Sequence, residues 1–210
     1  MNNKQNQKTN AKSNKRLYII LISAVVAVAA IVTLFLVLGG DGNTVEYKSG
    51  ERLLVFEGKS QYSEPILDFL KATLDNNGDA YFKVFPPEAA ADYTNESAPA
   101  VQVHMGHETM DGFLLYQTDR YEDFYGDNIV ITVKVLSEES ASFEDIEDWN
   151  LDQYTFKRYI TRENTEEIKK ITIDYTVKGD LDKDNRELAV YVVKQDGKWY
   201  MHPTYAFQSL

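Results

Sequence analysis

The chain has 210 residues, no cysteine, and 33 acidic against 22 basic side chains, for a formal net charge of −11. Without cysteine it forms no disulfide, runs no thiol chemistry and offers no Cys-ligated zinc. All acids lie beyond residue 40, so residues 41–210 hold 17 basic and 33 acidic side chains, a net charge of −16. A surface that acidic argues against nucleic acid, whose phosphates demand a basic footprint.

Residues 1–16 form a basic tail with Lys4, Lys8, Lys12, Lys15 and Arg16 and no acid. Residues 17–38 follow as 22 positions without a charge. At about 1.5 Å per residue this run matches the roughly 30 Å core of a bilayer. A secretory signal peptide has a shorter apolar region and a small-residue cleavage site. Here the run leaves through Leu38-Gly39-Gly40-Asp41 with no A-x-A pattern, so an uncleaved transmembrane helix is the favoured reading. There is also no cysteine to accept a lipid. The basic flank keeps the tail cytoplasmic by the positive-inside tendency. Everything after Gly40 is then extracytoplasmic, in a single-pass membrane protein. The Gly-rich, polar residues 39–50 read as a linker, and residues 51–210 as one domain.

The domain opens with residues 52–57 (RLLVFE), a short strand or a lead-in. Ser63 then reads as a helix cap, with Glu64 and Pro65 in the first turn. Ile66, Leu67, Phe69, Leu70, Thr73 and Leu74 keep helical spacing until Asn76-Asn77-Gly78. A second helix is expected over residues 79–85 and a third over 88–93. After an extended segment near 98–104, Met110, Phe113, Leu114, Gln117, Tyr121 and Phe124 mark one face of a longer helix closed by Gly126.

The period then changes. Residues 129–136 place Ile131, Val133 and Val135 on one strand face. Ile171, Ile173, Tyr175 and Val177 alternate against polar neighbours in a second strand. A polar segment over 142–164 between them carries Phe143, Ile146, Trp149 and Tyr154 at near-helical intervals. Residues 188–193 and 198–202 complete the set, with a hairpin at Asp196-Gly197 and a buried Trp199. Helices followed by a meander of antiparallel strands define an α+β pattern.

The order of elements, together with the closing Val192-Val193-Lys194-Gln195-Asp196-Gly197-Lys198-Trp199-Tyr200, resembles the NTF2-like (cystatin-like) superfamily. More narrowly, the helix over residues 66–77, the phrase Tyr81-Phe82-Lys83-Val84-Phe85-Pro86-Pro87, and the helix ending in Tyr125-Gly126-Asp127 resemble anchored, exported NTF2-like domains of unknown function from Gram-positive bacteria. The resemblance covers about residues 60–206. It implies a cone of helices packed on a curved antiparallel sheet, with a pocket in the mouth where relatives bind small molecules or proteins or occasionally catalyse. It supplies no catalytic set, and no catalytic or cofactor-binding residue is assigned.

Two weak metal candidates stand beside ordinary readings. His104 and His107, with Asp111 as the nearest third ligand, suit a transition metal, but they lack the H-E-x-x-H order and read first as exposed histidines. Asp180, Asp182 and Asp184 alternate as in a calcium loop. Asn185 stands where glycine belongs and Tyr191 where glutamate belongs, so a solvated turn between residues 178 and 187 is the simpler reading. The acidic run from Glu138 to Asp148 suits a docking patch for a basic partner, or a solvated helix face. Tyr116, Tyr121, Phe124 and Tyr125 suit a carbohydrate or peptide surface, or core. No G-x-S-x-G or Gly-rich phosphate cradle occurs, and Asn95-Glu96-Ser97 is a sequon that matters only in a eukaryotic secretory pathway.

These readings converge on a membrane-anchored extracytoplasmic binding or interaction domain, not an enzyme, without cofactor. Its partner is an extracytoplasmic protein or small ligand. The alternative is a VirB8-like scaffold subunit of a secretion or conjugation apparatus, which shares the layout of short tail, single span and outer NTF2-like domain. An NTF2-like enzyme is the third class.

Overall fold

The computed structural model describes residues 43–94, 109–147 and 159–205. The tail, the apolar run 17–38, the sequon, His104, His107, Trp149 and Tyr154 lie outside the described residues. Among the described residues no helix is long and apolar enough to cross a membrane.

The chain first builds a hairpin of β1 (Val45–Ser49) and β2 (Arg52–Glu57). Gly50, at φ 59°, takes the first turn position, a left-handed conformation that glycine adopts without a Cβ penalty. The linker anticipated over 39–50 is therefore structured from Val45 onward. β1 is hard to read as a strand because it is only five residues long, with two apolar side chains, and follows the Gly-rich stretch.

Helix α1 (Glu64–Leu74) follows, burying Ile66, Leu67, Phe69, Leu70 and Leu74. Its start differs from a simple serine cap. Ser63 already has helical angles, and its Oγ accepts from the Ser60 amide at 2.9 Å instead of from a helix amide. Ser60 Oγ in turn donates to Glu138, so the serine pair pins the helix start to the sheet. At the other end Asn76 is left-handed (φ 53°) and the Asn77 amide reaches back to the Ala72 carbonyl at 2.9 Å, a Schellman-type stop. Asn77 then caps α2 (Gly78–Phe82) by accepting from the Ala80 amide at 3.0 Å. That helix ends three residues earlier than anticipated, in a turn ahead of Pro86. Helix α3 (Pro87–Thr94) starts on its proline.

Helix α4 (Met110–Tyr125) is capped by Thr109 and terminated by Gly126. It buries Met110, Phe113, Leu114 and Thr118, and the stripe continues through half-buried Tyr121 and Tyr125. Phe124, anticipated on the buried face, is 60 % exposed, because the stripe passes one position beyond it.

Four strands complete the sheet, with helix α5 (Phe143–Glu147) after the first of them: β3 (Val130–Ala141), β4 (Glu167–Lys178), β5 (Lys183–Gln195) and β6 (Lys198–Met201). The sheet is six-stranded and curled, in the order β1-β2-β3-β4-β5-β6. The expected wholly antiparallel sheet is corrected at one pair: β2 and β3 run parallel, and the crossover between them carries α1 to α4. Strand β5 starts at Lys183, five residues before the expected start at Leu188, so the turn after Lys178 is short. Its first residues are exposed, which leaves no burial pattern to betray them. The β5–β6 loop is the two residues Asp196 and Gly197, both at positive φ (49° and 74°), the signature of a type I′ turn.

Pairing sets the core. Leu54, Ile131 and Val177 form one row across three strands, and Phe56, Val133 and Tyr175 the next. All six are at most 1 % exposed, and Phe69, Tyr81 and Phe85 from the helices are equally buried. Each such side chain contributes roughly 1.5–3 kcal/mol by leaving water. The concave side of the sheet is filled by aromatic rings: Phe69 and Tyr81 lie 4.9 Å apart, Tyr81 and Phe85 5.5 Å.

Candidate functional site

Helix α1 touches both margins of the sheet, β1 and β6, as well as β2. Its outward face therefore forms the floor of a groove of about 640 Å³. Tyr47 lies on the β1 side; Lys198 and Trp199 lie on the β6 side; Lys83 and Val84 lie just beyond α2. The helix contributes Glu64, Asp68, Lys71 and Asp75, whose spacing of three and four puts all four carboxylate or ammonium groups on one side.

These groups hold each other. The Tyr47 hydroxyl donates to Asp75 Oδ2 at 2.5 Å, and Ser49 Oγ to the Leu74 carbonyl at 3.1 Å, so β1 is stitched to the end of the helix. The hydrogen bond to Asp75 raises the Tyr47 phenol above its ordinary value, with burial and the nearby negative charge adding to it. Lys71 Nζ stands 5.5 Å from the Tyr47 ring centre and 3.9 Å from Asp68. Partial burial raises the Asp68 carboxyl, and Lys71 opposes that shift. At the other wall Trp199 meets Tyr62 edge to face, with centroids 5.0 Å apart, and Lys169 sits 5.0 Å over the Tyr62 ring. Trp199, anticipated as buried, is half-buried, because one side of its indole lines this groove.

The groove is chemically balanced on an acidic domain. Its lining holds Glu64, Asp68 and Asp75 with Lys71, Lys83 and Lys198, three charges of each sign between two aromatic walls, and Glu64 is paired with Lys59 at 2.9 Å. Such a surface suits a polar ligand that carries both signs or neither. Its raised Tyr47 is a hydrogen-bond donor and not a base.

The other anticipated residues fall elsewhere. Asp180 accepts from Asn128 at 2.8 Å, Asp182 from the Lys183 amide and Asp184 from the Asn185 amide, so the three aspartates serve the turn and strand start. Among the described residues no group of three or more His, Asp or Glu is placed to hold a metal ion. Asp111, the suggested third ligand for His104 and His107, accepts from the Gly78 amide at 2.6 Å and joins α4 to α2. The acidic run is divided. Glu138 and Glu139 belong to β3, and exposed Glu144 is paired with Arg162 at 2.7 Å, which lowers its carboxyl to about 2.

The aromatic set on α4 also separates. Tyr116 and Phe124 point outward around Arg120, whose guanidinium lies 5.8 and 5.4 Å from their rings. Tyr121 points inward, its hydroxyl 3.2 Å from that of Tyr175. Burial pushes both phenols up, Tyr175 well above its ordinary value, so this pair stays protonated and neutral. His202, the remaining histidine, is buried, and burial lowers it to about 4. No sequence signal marks the groove, since Tyr47 lies in the stretch that reads as a linker and the α1 charges resemble an ordinary solvated face. In comparison with known proteins, no protein-family model and no curated protein matches the chain.

Proposed function

We propose that the chain is a single-pass membrane-anchored, extracytoplasmic binding domain on an NTF2-like cone, without catalytic activity of its own. It takes its ligand in the groove over α1. The observation that carries this reading is the contrast between two places. The concave interior, where an enzyme of this architecture would keep its pocket, is packed with Phe56, Phe69, Tyr81, Phe85 and Tyr175. The open groove instead offers balanced charges and the faces of Tyr47 and Trp199. Aromatic walls with carboxylates and ammonium groups between them suit a polar chain such as an oligosaccharide, stacking on the rings and bonding to the charges. The curled α+β sheet supports the NTF2-like reading, and the 22-residue apolar run supports the anchor.

The test needs no knowledge of the ligand. A full chain carrying Lys71→Ala and Trp199→Ala, both partly exposed, should reach the membrane at the wild-type level yet behave in its host as a deletion does. Full activity from that variant would remove the groove from the argument.

A further inference from the structure

The two margins of the sheet are treated differently. At β6 the Met201 amide donates to the Val84 carbonyl at 2.8 Å, so the chain covers that edge itself. At β1 nothing among the described residues pairs with the outer side. Val45, Tyr47 and Ser49 lie opposite Phe56, Leu54 and Arg52, and the two-residue turn makes Ser49–Arg52 a hydrogen-bonded pair. Strand alternation then directs the N–H and C=O of Glu46 and Lys48 away from β2, to the free edge. The strand has no proline and no bulge, the usual protections of an exposed edge. Its protection is charge, but charge of opposite sign two residues apart.

The geometry points to a second copy of this chain as the occupant of that edge, through an antiparallel β1–β1 pairing with its two-fold axis at Tyr47. Only registers that set the even-numbered residues opposite one another use the free backbone groups. With Glu46 opposite Glu46, or Lys48 opposite Lys48, like charges meet and repel. Centred on Tyr47, Glu46 faces Lys48 of the other copy, and Lys48 faces its Glu46, so both pairs attract. A two-fold contact must be self-complementary, and the sequence Val45-Glu46-Tyr47-Lys48-Ser49 is so in this one register. Two sheets join into one, and the two Tyr47 walls come side by side. The pairing belongs to the folded domain and does not rest on residues 17–38 spanning a membrane.

The absence of cysteine makes the register readable. In this register Tyr47 faces itself in a non-hydrogen-bonded pair with Cα atoms about 4.5 Å apart, within disulfide reach. Single Glu46→Cys, Tyr47→Cys and Lys48→Cys variants of the full chain, in lipid vesicles under mild oxidation, should give a dominant disulfide dimer from position 47 alone. Adding Glu46→Lys to Tyr47→Cys should cut the cross-link about tenfold, since two attractive pairs become two repulsive ones. Adding Lys48→Glu as well should restore it. Cross-linking of equal yield at all three positions, or none at 47 in a folded variant, overturns the pairing. So does failure of the double charge swap to rescue.

Discussion

His202 carries a pH dependence that can be assigned to one side chain. Its imidazole is buried beside the start of a 3₁₀ turn (Pro203–Tyr205), where Nδ1 accepts from the Thr204 amide at 3.2 Å, and burial lowers it from 6.5 to about 4. The folded chain therefore refuses a proton that the unfolded chain accepts. Above pH 6.5 this costs nothing. As pH falls from 6.5 towards 4, each unit removes about 1.4 kcal/mol, to a total near 3 kcal/mol. Denaturant unfolding at a series of pH values should show that slope in the parent and a much shallower one in His202→Gln. Equal slopes would show that the imidazole takes up its proton without resistance.

At the scale of elements, the joint between α4 and the β4–β5 turn is a close backbone-to-backbone contact. The Tyr125 carbonyl, otherwise left unpaired by the helix end, accepts from the Leu181 amide at 2.9 Å, and the Asp127 carbonyl accepts from Asp180 at 3.1 Å. Gly179 makes this possible: a Cβ there would stand 2.1 Å from the Tyr125 oxygen. Gly179→Ala should therefore cost about 1–3 kcal/mol by overpacking. Gly197→Ala meets open space and should cost only the roughly 1 kcal/mol of a left-handed residue. Denaturation midpoints of the two variants check the ranking, and faster amide exchange at Asp180 and Leu181 in the first would locate the damage. The same scale shows what a sequence can disclose. β4 is legible because each inward residue is Ile, Tyr or Val and each outward one is polar. The α1 stop and the Asp-Gly turn are legible because local chemistry determines them. β1 is not, since only two of its five residues pack inward as hydrophobics and its partner alone makes it a strand. The parallel β2–β3 pair is not, because it joins segments more than seventy residues apart and no local signal encodes direction.

Across the whole molecule, the groove escaped sequence reading for a related reason. Tyr47 and Asp75 are 28 positions apart and Trp199 lies near the far end of the chain, so only the curl of the sheet brings them to one helix. The anchor, by contrast, is a property of consecutive residues. On the reading proposed here, reporters fused ahead of residue 1 and after Leu210 should fall on opposite sides of the membrane, the first cytoplasmic. Both on one side would reject the topology while leaving the groove and the β1 pairing to be judged separately.

The entry point of the chain into the domain also sets how the domain yields to a pull. Any load arriving through Asn43 meets β1 first, and among the described residues of one copy β1 pairs with β2 alone, over five residue pairs. It is also held by the Tyr47–Asp75 and Ser49–Leu74 bonds to α1 and by the packing of Val45 and Tyr47 against the core. A strand peeled from that margin takes Tyr47 with it. On the reading proposed here, one wall of the groove is thus mounted on the strand that tension reaches soonest, and holding a ligand and bearing a load would draw on the same five residues.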